Sequence, residues 1–194
     1  MSKCEFTKTS LDYLGHIVGG GELRIDPSKV EAIVNWPTPK TVTEIRIFLG
    51  ATHYWRKFIA NFYSIGAPIH VMTSVKKGFQ WGGKQHQDFE SLKYKISSAS
   101  VLALPNLRQP FEIQTNANDY AMGVVLLQHG KPIAFHSKTF NVVVIYYPTY
   151  DKDLYALVQS VKKWKHYLMG KETIVRTNHQ PLQYLQSQTK LQQS

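Results

Sequence analysis

The 194-residue chain contains only one cysteine, Cys4, and has no long apolar run. A single thiol excludes an internal disulfide and is typical of a reducing compartment, so we expect an intracellular location, cytoplasmic or nuclear. The sequence has no apolar stretch of about 20 residues, and its N-terminus lacks the apolar core of a signal peptide. Both observations predict no membrane association. The sequence also has no internal repeat, which excludes a solenoid.

Acidic residues are scarce as well. Thirteen Asp and Glu face 23 Lys and Arg, which gives a net charge of +10. Such an excess can serve solubility alone, but aromatic residues make up 12% of the chain and are interleaved with the basic ones. That combination favours nucleic acid over a membrane as the partner. Hydrophobic residues reach 43%, which is enough for a folded core.

The clearest structural pattern covers residues 111–128. Apolar and polar residues alternate from Phe111 to Asn116, turn-forming residues follow up to Asp119, and Gly123 opens a second apolar run. This predicts two strands around a tight turn. We expect a hairpin turn at residues 129–131, a third strand at 132–138, a helix from about Thr149 to Met169 and a fourth strand at 172–177.

The first hundred residues predict a hairpin followed by helices. Asp26 and Thr41 are predicted to cap the first two helices. Aromatic residues recur at helical spacing at Tyr54, Trp55 and Phe58. These rings could either pack in the core or stack on nucleic-acid bases, and core packing is the more common role.

Several motifs resemble gypsy-class LTR retrotransposon (Metaviridae) Pol polyproteins. They are the Tyr-x-Arg-Lys-Phe-Ile element at residues 54–59, the Thr-Asn-Ala-Asn frame at 115–118 and the Arg-Thr-Asn-His-Gln element at 176–180. The resemblance implies a mixed α/β protein. A small helical thumb and connection region of a reverse transcriptase would precede a ribonuclease H-like mixed sheet with flanking helices, which lacks the family's last strand and helix.

The implied domains are a palm-hairpin remnant at 1–21, a helical thumb at 22–75, a connection at 76–107 and a ribonuclease H-like domain at 108–194. The polymerase's catalytic Asp-Asp motif is absent from the sequence. We therefore expect no DNA synthesis by this chain alone.

The resemblance also implies where a nuclease centre would lie. The family uses four carboxylates to hold two divalent cations, and this chain carries Asn116, Asp153 and Asn178 at the first three positions and no fourth residue. Asparagine keeps the shape of aspartate but supplies no negative charge. Asp153 is thus the one weak metal ligand left, and we expect no cofactor, or Mg²⁺ or Mn²⁺ if the chain is active.

Two alternatives to a degenerate nuclease centre remain. Asp119 or Asp151 could supply a replacement carboxylate, although a solvated turn or helix start is the simpler role for each. The paired asparagines could also be engineered to trap a substrate, which would not explain the shortened Asp153.

Binding surfaces are the last expectation. The nucleic-acid-binding candidates implied by the resemblance are His16, Arg56, Lys57, Lys138, Arg176 and His179. The β-prone run from Val142 to Tyr147 predicts an edge strand or a patch for self-association or a protein partner, or simply a buried lead into the next helix.

Three functions follow. The first is a catalytically silent module that binds an RNA–DNA hybrid, a duplex or a protein partner. The second is an active metal-dependent RNA–DNA hybrid endoribonuclease. The third is a folded remnant without function, or a protein-interaction module.

Overall fold

Eight strands form two separate sheets in the computed structural model, which describes residues 8–74 and 79–177. The strands are β1 Ser10–Tyr13, β2 His16–Gly19, β3 Glu22–Ile25, β4 Leu102–Ala103, β5 Phe111–Ala117, β6 Ala121–Gln128, β7 Lys131–Thr139 and β8 Thr173–Thr177. The helices are α1 Pro27–Val34, α2 Val42–His53, α3 Phe62–Ile65, α4 Ala67–Ser74, α5 Gly83–Ser97, α6 Val142–Ile145, α7 Thr149–Lys163 and α8 Lys165–Leu168, with a 3₁₀ turn at Arg56–Phe58. The predicted mixed α/β class is confirmed.

The first sheet is antiparallel in the order β1-β2-β3-β4. Ile25 on β3 and Leu102 on β4 join a core that α1 to α5 complete, with Phe48, Phe62 and Phe89 fully buried. The predicted palm-hairpin remnant ends at residue 21, between β2 and β3. These two strands pair with each other, so the predicted hairpin continues into a third strand. The connection helix α5 likewise packs in this first core.

Helix starts follow the predicted caps. The Asp26 carboxylate accepts a hydrogen bond of 2.8 Å from the backbone N–H of Ser28. The Thr41 hydroxyl accepts one of 3.1 Å from Glu44 N–H. The Glu44 carboxylate accepts in turn from the backbone of Lys40 at 2.8 Å, one residue before the position that a capping box predicts. None of the described helices is long and apolar enough to cross a membrane.

The second sheet runs β7-β6-β5-β8, with β8 parallel to β5 and the other pairs antiparallel. The predicted strands at residues 111–128 and their alternation are confirmed, since Phe111, Ile113 and Thr115 are buried. The buried hydrophobic side chains of β5 and β6 form a second core together with side chains on α7. Helix α7 therefore covers one face of this sheet.

The opposite face of the second sheet contacts the first unit through the 3₁₀ turn and α3. The backbone N–H of Tyr63 donates to the Ser137 hydroxyl at 3.2 Å, and that hydroxyl donates to the Met122 carbonyl at 2.9 Å. Asn61, which precedes α3 in a left-handed conformation (φ 54°), lies directly over Gly123 on β6. The two units are thus fastened at β6 and β7.

Two sequence predictions differ from this fold. The helix predicted from Thr149 to Met169 is interrupted at Trp164, whose φ of −105° and ψ of 20° end α7 before α8 begins. Of the alternatives predicted for the run from Val142 to Tyr147, the edge strand is wrong, because the run begins with the short helix α6. The Asn141 side chain caps that helix by accepting from Val144 N–H at 2.9 Å.

Candidate functional site

Asn116 lies at the end of β5 and is exposed on the sheet face that points away from α7. It lines a cleft of about 340 Å³ together with Gln114, Asn61 and Arg176. We call this the amide cleft, after its three amide side chains. Arg176 is neutralised there by Glu112, whose Oε1 lies 2.8 Å from the arginine Nε.

Asp153 lies on α7, on the other side of the sheet, and is only 3% exposed. Of its two predicted substitutes, Asp119 lies in the turn after β5, where the buried Lys152 amine approaches its carboxylate to 3.4 Å. Asp151 lies in the first turn of α7, where its charge favours the helix N-terminus. Asp119 is therefore already neutralised by a cation of the chain, and Asp151 keeps its role as a helix-start residue.

The donor set does not fit a two-metal centre within residues 8–74 and 79–177. In that part of the chain, no group of three or more His, Cys, Asp or Glu side chains is placed to hold a metal ion. Divalent magnesium and manganese bind to clustered anionic oxygens, and the amide cleft offers neutral amides and a paired arginine instead. The predicted site residues Asn178 and His179 lie outside the described residues.

A second cleft, of about 460 Å³, runs beside β7 between the 3₁₀ turn and the end of α7. Three cations line it: Arg56, Lys57 and Lys163. We call it the basic cleft. Its remaining wall is formed by aromatic and imidazole rings and one alanine, and the full lining set is His53, Tyr54, Arg56, Lys57, Ala134, Phe135, His136, Lys163, Trp164, His166 and Tyr167.

No carboxylate lines the basic cleft. Among the described residues, no acidic side chain comes within salt-bridge range of Arg56, Lys57 or Lys163, nor of Lys138 on the adjacent strand. Clustered cations without internal counter-charges repel each other and attract an external anion. The sequence-predicted Arg56, Lys57 and Lys138 therefore lie in or next to an anion-attracting surface.

Burial and positive charge shift the titration of groups in this cleft. Burial, with Lys163, Arg56 and Lys138 nearby, lowers the pKa of His136 to about 4. Burial and the Arg56 charge also lower the pKa of His53, and burial lowers the pKa of Lys57, whose amine lies 5.4 Å from the Phe58 ring centroid. His136 is therefore neutral at pH 7 in the free protein.

His16 does not fit its predicted contact with nucleic acid. It is 4% exposed and packs among aromatic rings, stacked on Tyr54 at a centroid distance of 5.2 Å. Burial, followed by the Lys57 charge, lowers its pKa. Trp55 and Phe58 are buried beside it, whereas Tyr54 stays 48% exposed at the cleft rim. His16 is thus a packing residue, and only Tyr54 of the three aromatic candidates can meet a ligand.

The apolar run at α6 leaves a patch on the surface. Val144 is buried, while its neighbours are exposed to between 40% and 81%. The exposed members are Val142, Val143, Ile145, Tyr146 and Tyr147. A role in self-association or protein binding therefore stays a prediction for a patch, not for a strand.

Proteins similar in sequence to this chain are Pol polyproteins of transposons and retroviruses. Residues 81–175 match the RNase H-like domain found in reverse transcriptase. The chain is 40% identical over 186 residues to the retrovirus-related Pol polyprotein from transposon 297 of Drosophila melanogaster, a match that covers 95% of this chain and 18% of that protein. Identity to the Pol polyprotein from transposon gypsy is 34% over 195 residues, covering 94% and 19%. The chain thus spans about a fifth of the length of these relatives.

Solved structures share the fold. A foamy viral protease-reverse transcriptase in complex with RNA/DNA hybrid aligns with a TM-score of 0.79 and 20% identity, covering 96% of this chain and 26% of that one. The related structure of the dRH form with double-stranded DNA gives 0.77 and 21%, covering 93% and 32%.

Proposed function

We propose that this chain binds nucleic acid without cutting it. Its residues 81–175 match the RNase H-like domain found in reverse transcriptase, and its homologues are Pol polyproteins of retrotransposons and retroviruses. One observation carries this proposal: the basic cleft gathers Arg56, Lys57 and Lys163 with no carboxylate in its lining. Phosphate oxygens are the ligands that such a surface attracts most strongly. The ligand we propose is an RNA–DNA hybrid or a duplex, as in the names of the two foamy viral complexes.

Loss of catalysis rests on the chemistry of the side chains. Asn116 lines the amide cleft and Asp153 is buried on α7, so these two family positions together supply one carboxylate and one neutral amide. A pair of divalent cations needs several anionic oxygens at one place. The nearby Asp119 already faces the Lys152 amine. The residues present therefore support binding and not hydrolysis.

Binding should depend steeply on salt. If the three cleft cations each neutralise one phosphate, log K should fall against log salt with a slope of about −2.7, a loss of roughly 40-fold between 50 and 200 mM salt. Arg56→Gln should reduce the magnitude of the slope by about one. The measurement is fluorescence anisotropy of a labelled hybrid over that salt range. Lys84→Gln, on α5 and outside the cleft, is the matched control and should leave the slope unchanged.

A salt-independent or undetectable interaction would contradict the proposal and favour a folded remnant. Equal slopes for Arg56→Gln and Lys84→Gln would place binding elsewhere on the chain.

Cleavage should be absent under the same conditions. With 10 mM Mg²⁺ or Mn²⁺ as the test concentration, about that of a standard nuclease assay, the end-labelled RNA strand of a bound hybrid should stay intact over hours. The measurement is denaturing gel electrophoresis of the labelled strand. The control is Asp153→Asn, which removes the one carboxylate left at a family position. Cutting by the unmodified chain that Asp153→Asn abolishes would establish the endoribonuclease alternative instead.

A further inference from the structure

His136 lies on β7 in the wall of the basic cleft, surrounded by positive charge from several elements. Lys163 reaches it from α7, Arg56 from the 3₁₀ turn and Lys138 from its own strand. The Trp164 ring packs edge-on against its imidazole at a centroid distance of 6.1 Å. The other titratable groups that line the same cleft are His53, Tyr54, Lys57, His166 and Tyr167.

The imidazole of His136 has no hydrogen-bond partner among the described residues, and the cleft has no acidic group to stabilise its protonated form. An imidazole nitrogen is either a donor or an acceptor when neutral, and both nitrogens donate when the ring is charged. Protonation would therefore add a hydrogen-bond donor and a positive charge at a point where three other cations already converge.

We propose that His136 takes up a proton when the phosphodiester backbone of a nucleic acid enters the basic cleft, and that it thereby becomes one of the ligands of the phosphate. The proposal rests on the nucleic-acid-binding function above and specifies how that site works. The proton comes from solvent, and no covalent bond forms or breaks. Binding and protonation are thus coupled in one step.

The direction of the coupling follows from the charges. In the free protein, burial and the three neighbouring cations hold the pKa of His136 at about 4. A bound phosphate neutralises those cations and accepts from the ring, so both effects raise the pKa in the complex. Because the complex binds more protons than the free protein, affinity must rise as the pH falls. A bound pKa at the ordinary value of about 6.5 gives an affinity about tenfold higher at pH 5.5 than at pH 7.5.

The other cleft histidines are less suited to this role. The Nδ1 atom of His53 lies 3.2 Å from the Tyr63 hydroxyl, and its Nε2 atom faces the Arg56 guanidinium. Both of its nitrogens are therefore engaged before any ligand arrives. His166 is exposed at the cleft and packs against the Tyr167 ring.

The test is the affinity for a labelled RNA–DNA hybrid at fixed ionic strength between pH 5.5 and 7.5. We expect about tenfold tighter binding at the acidic end for the unmodified chain, and less than about threefold for His136→Gln, which stays neutral and keeps hydrogen-bonding capacity. His86→Gln removes an exposed histidine of α5 outside the cleft and should keep the tenfold change.

A second measurement needs no variant. Calorimetric titration with the same hybrid at pH 6, in two buffers of different ionisation enthalpy, should show net proton uptake on binding. Binding without proton uptake, or a full pH effect in His136→Gln, would overturn the role of His136 and leave the binding function standing. Absence of binding at every pH would instead overturn the proposed function itself, and this inference with it.

Discussion

Replacing Gly123 by alanine is expected to lower the free energy of unfolding by about 2 kcal/mol, the middle of the range for overpacking a filled site. A β-carbon at this position would overlap Oδ1 of Asn61 and would lie 2.9 Å from its Cγ and 3.5 Å from its Cα. Asn61 is held in a left-handed conformation just before α3, which packs on β6 and β7. The Asn61 side chain must therefore move away from β6, and the contact that it makes there is lost. Thermal unfolding should show a melting temperature lower by about 4–8 °C.

Two controls separate this clash from the general effect of adding a methyl group. Gly50→Ala makes the same change inside α2, where an added β-carbon meets nothing within 4 Å, and it should stabilise the chain by about 0.5–1 kcal/mol. Asn61→Gly in the Gly123→Ala background removes the clashing side chain at a backbone conformation that glycine adopts freely. If that second change restores no stability, the contact between Asn61 and Gly123 does not fasten the two units.

The strands of the second sheet could be predicted from sequence because their pattern is local. Alternation from Phe111 to Asn116 sets which side chains face α7, and His129 and Gly130 adopt the positive φ angles of a tight hairpin turn. Each of these signals involves neighbours in the chain. The parallel pairing of β5 with β8 is different, since it joins residues about 60 positions apart and no local pattern predicts it.

Predictions failed where tertiary packing overrides local preference. Val142, Val143 and Ile145 are β-branched residues that favour strands, yet the Asn141 cap starts a helix and the pairing of β7 with β6 ends before this run. The break at Trp164 has no glycine or proline to announce it. Its buried ring packs in the second core, against His136 among others, and that packing is invisible in the helical pattern of the sequence.

The candidate site shows the same division. Arg56 and Lys57 were found because their motif is contiguous, and the loss of charge at Asn116 because the frame around it is intact. Lys163 and His136 were missed, since about 80 to 110 residues separate them from Arg56 and only the folded chain brings them to one cleft. One feature of the sequence could have indicated this cleft: residues 120–150 contain no Asp or Glu.

Reversing the charge of Lys163 tests that cleft most severely. Lys163→Glu should weaken hybrid binding about 30-fold at 100 mM salt, since it removes one phosphate contact and places a carboxylate beside the remaining phosphates. Lys163 is exposed at the end of α7 and has no ion-pair partner among the described residues, so the fold should tolerate the change. The measurement is the equilibrium dissociation constant from anisotropy, with circular dichroism to verify the fold.

Lys162→Glu is the matched control, because it alters the preceding residue in the same last turn of α7 and changes the net charge from +10 to +8 equally. Both variants also place a negative charge at a helix C-terminus, so their effects on helix stability should be similar. Only Lys163 lines the basic cleft. A general attraction between a positive protein and a polyanion would weaken binding equally in both. A loss at least about fivefold larger in Lys163→Glu shows that phosphates bind at the cleft itself, whereas equal losses mean that net charge alone holds the nucleic acid.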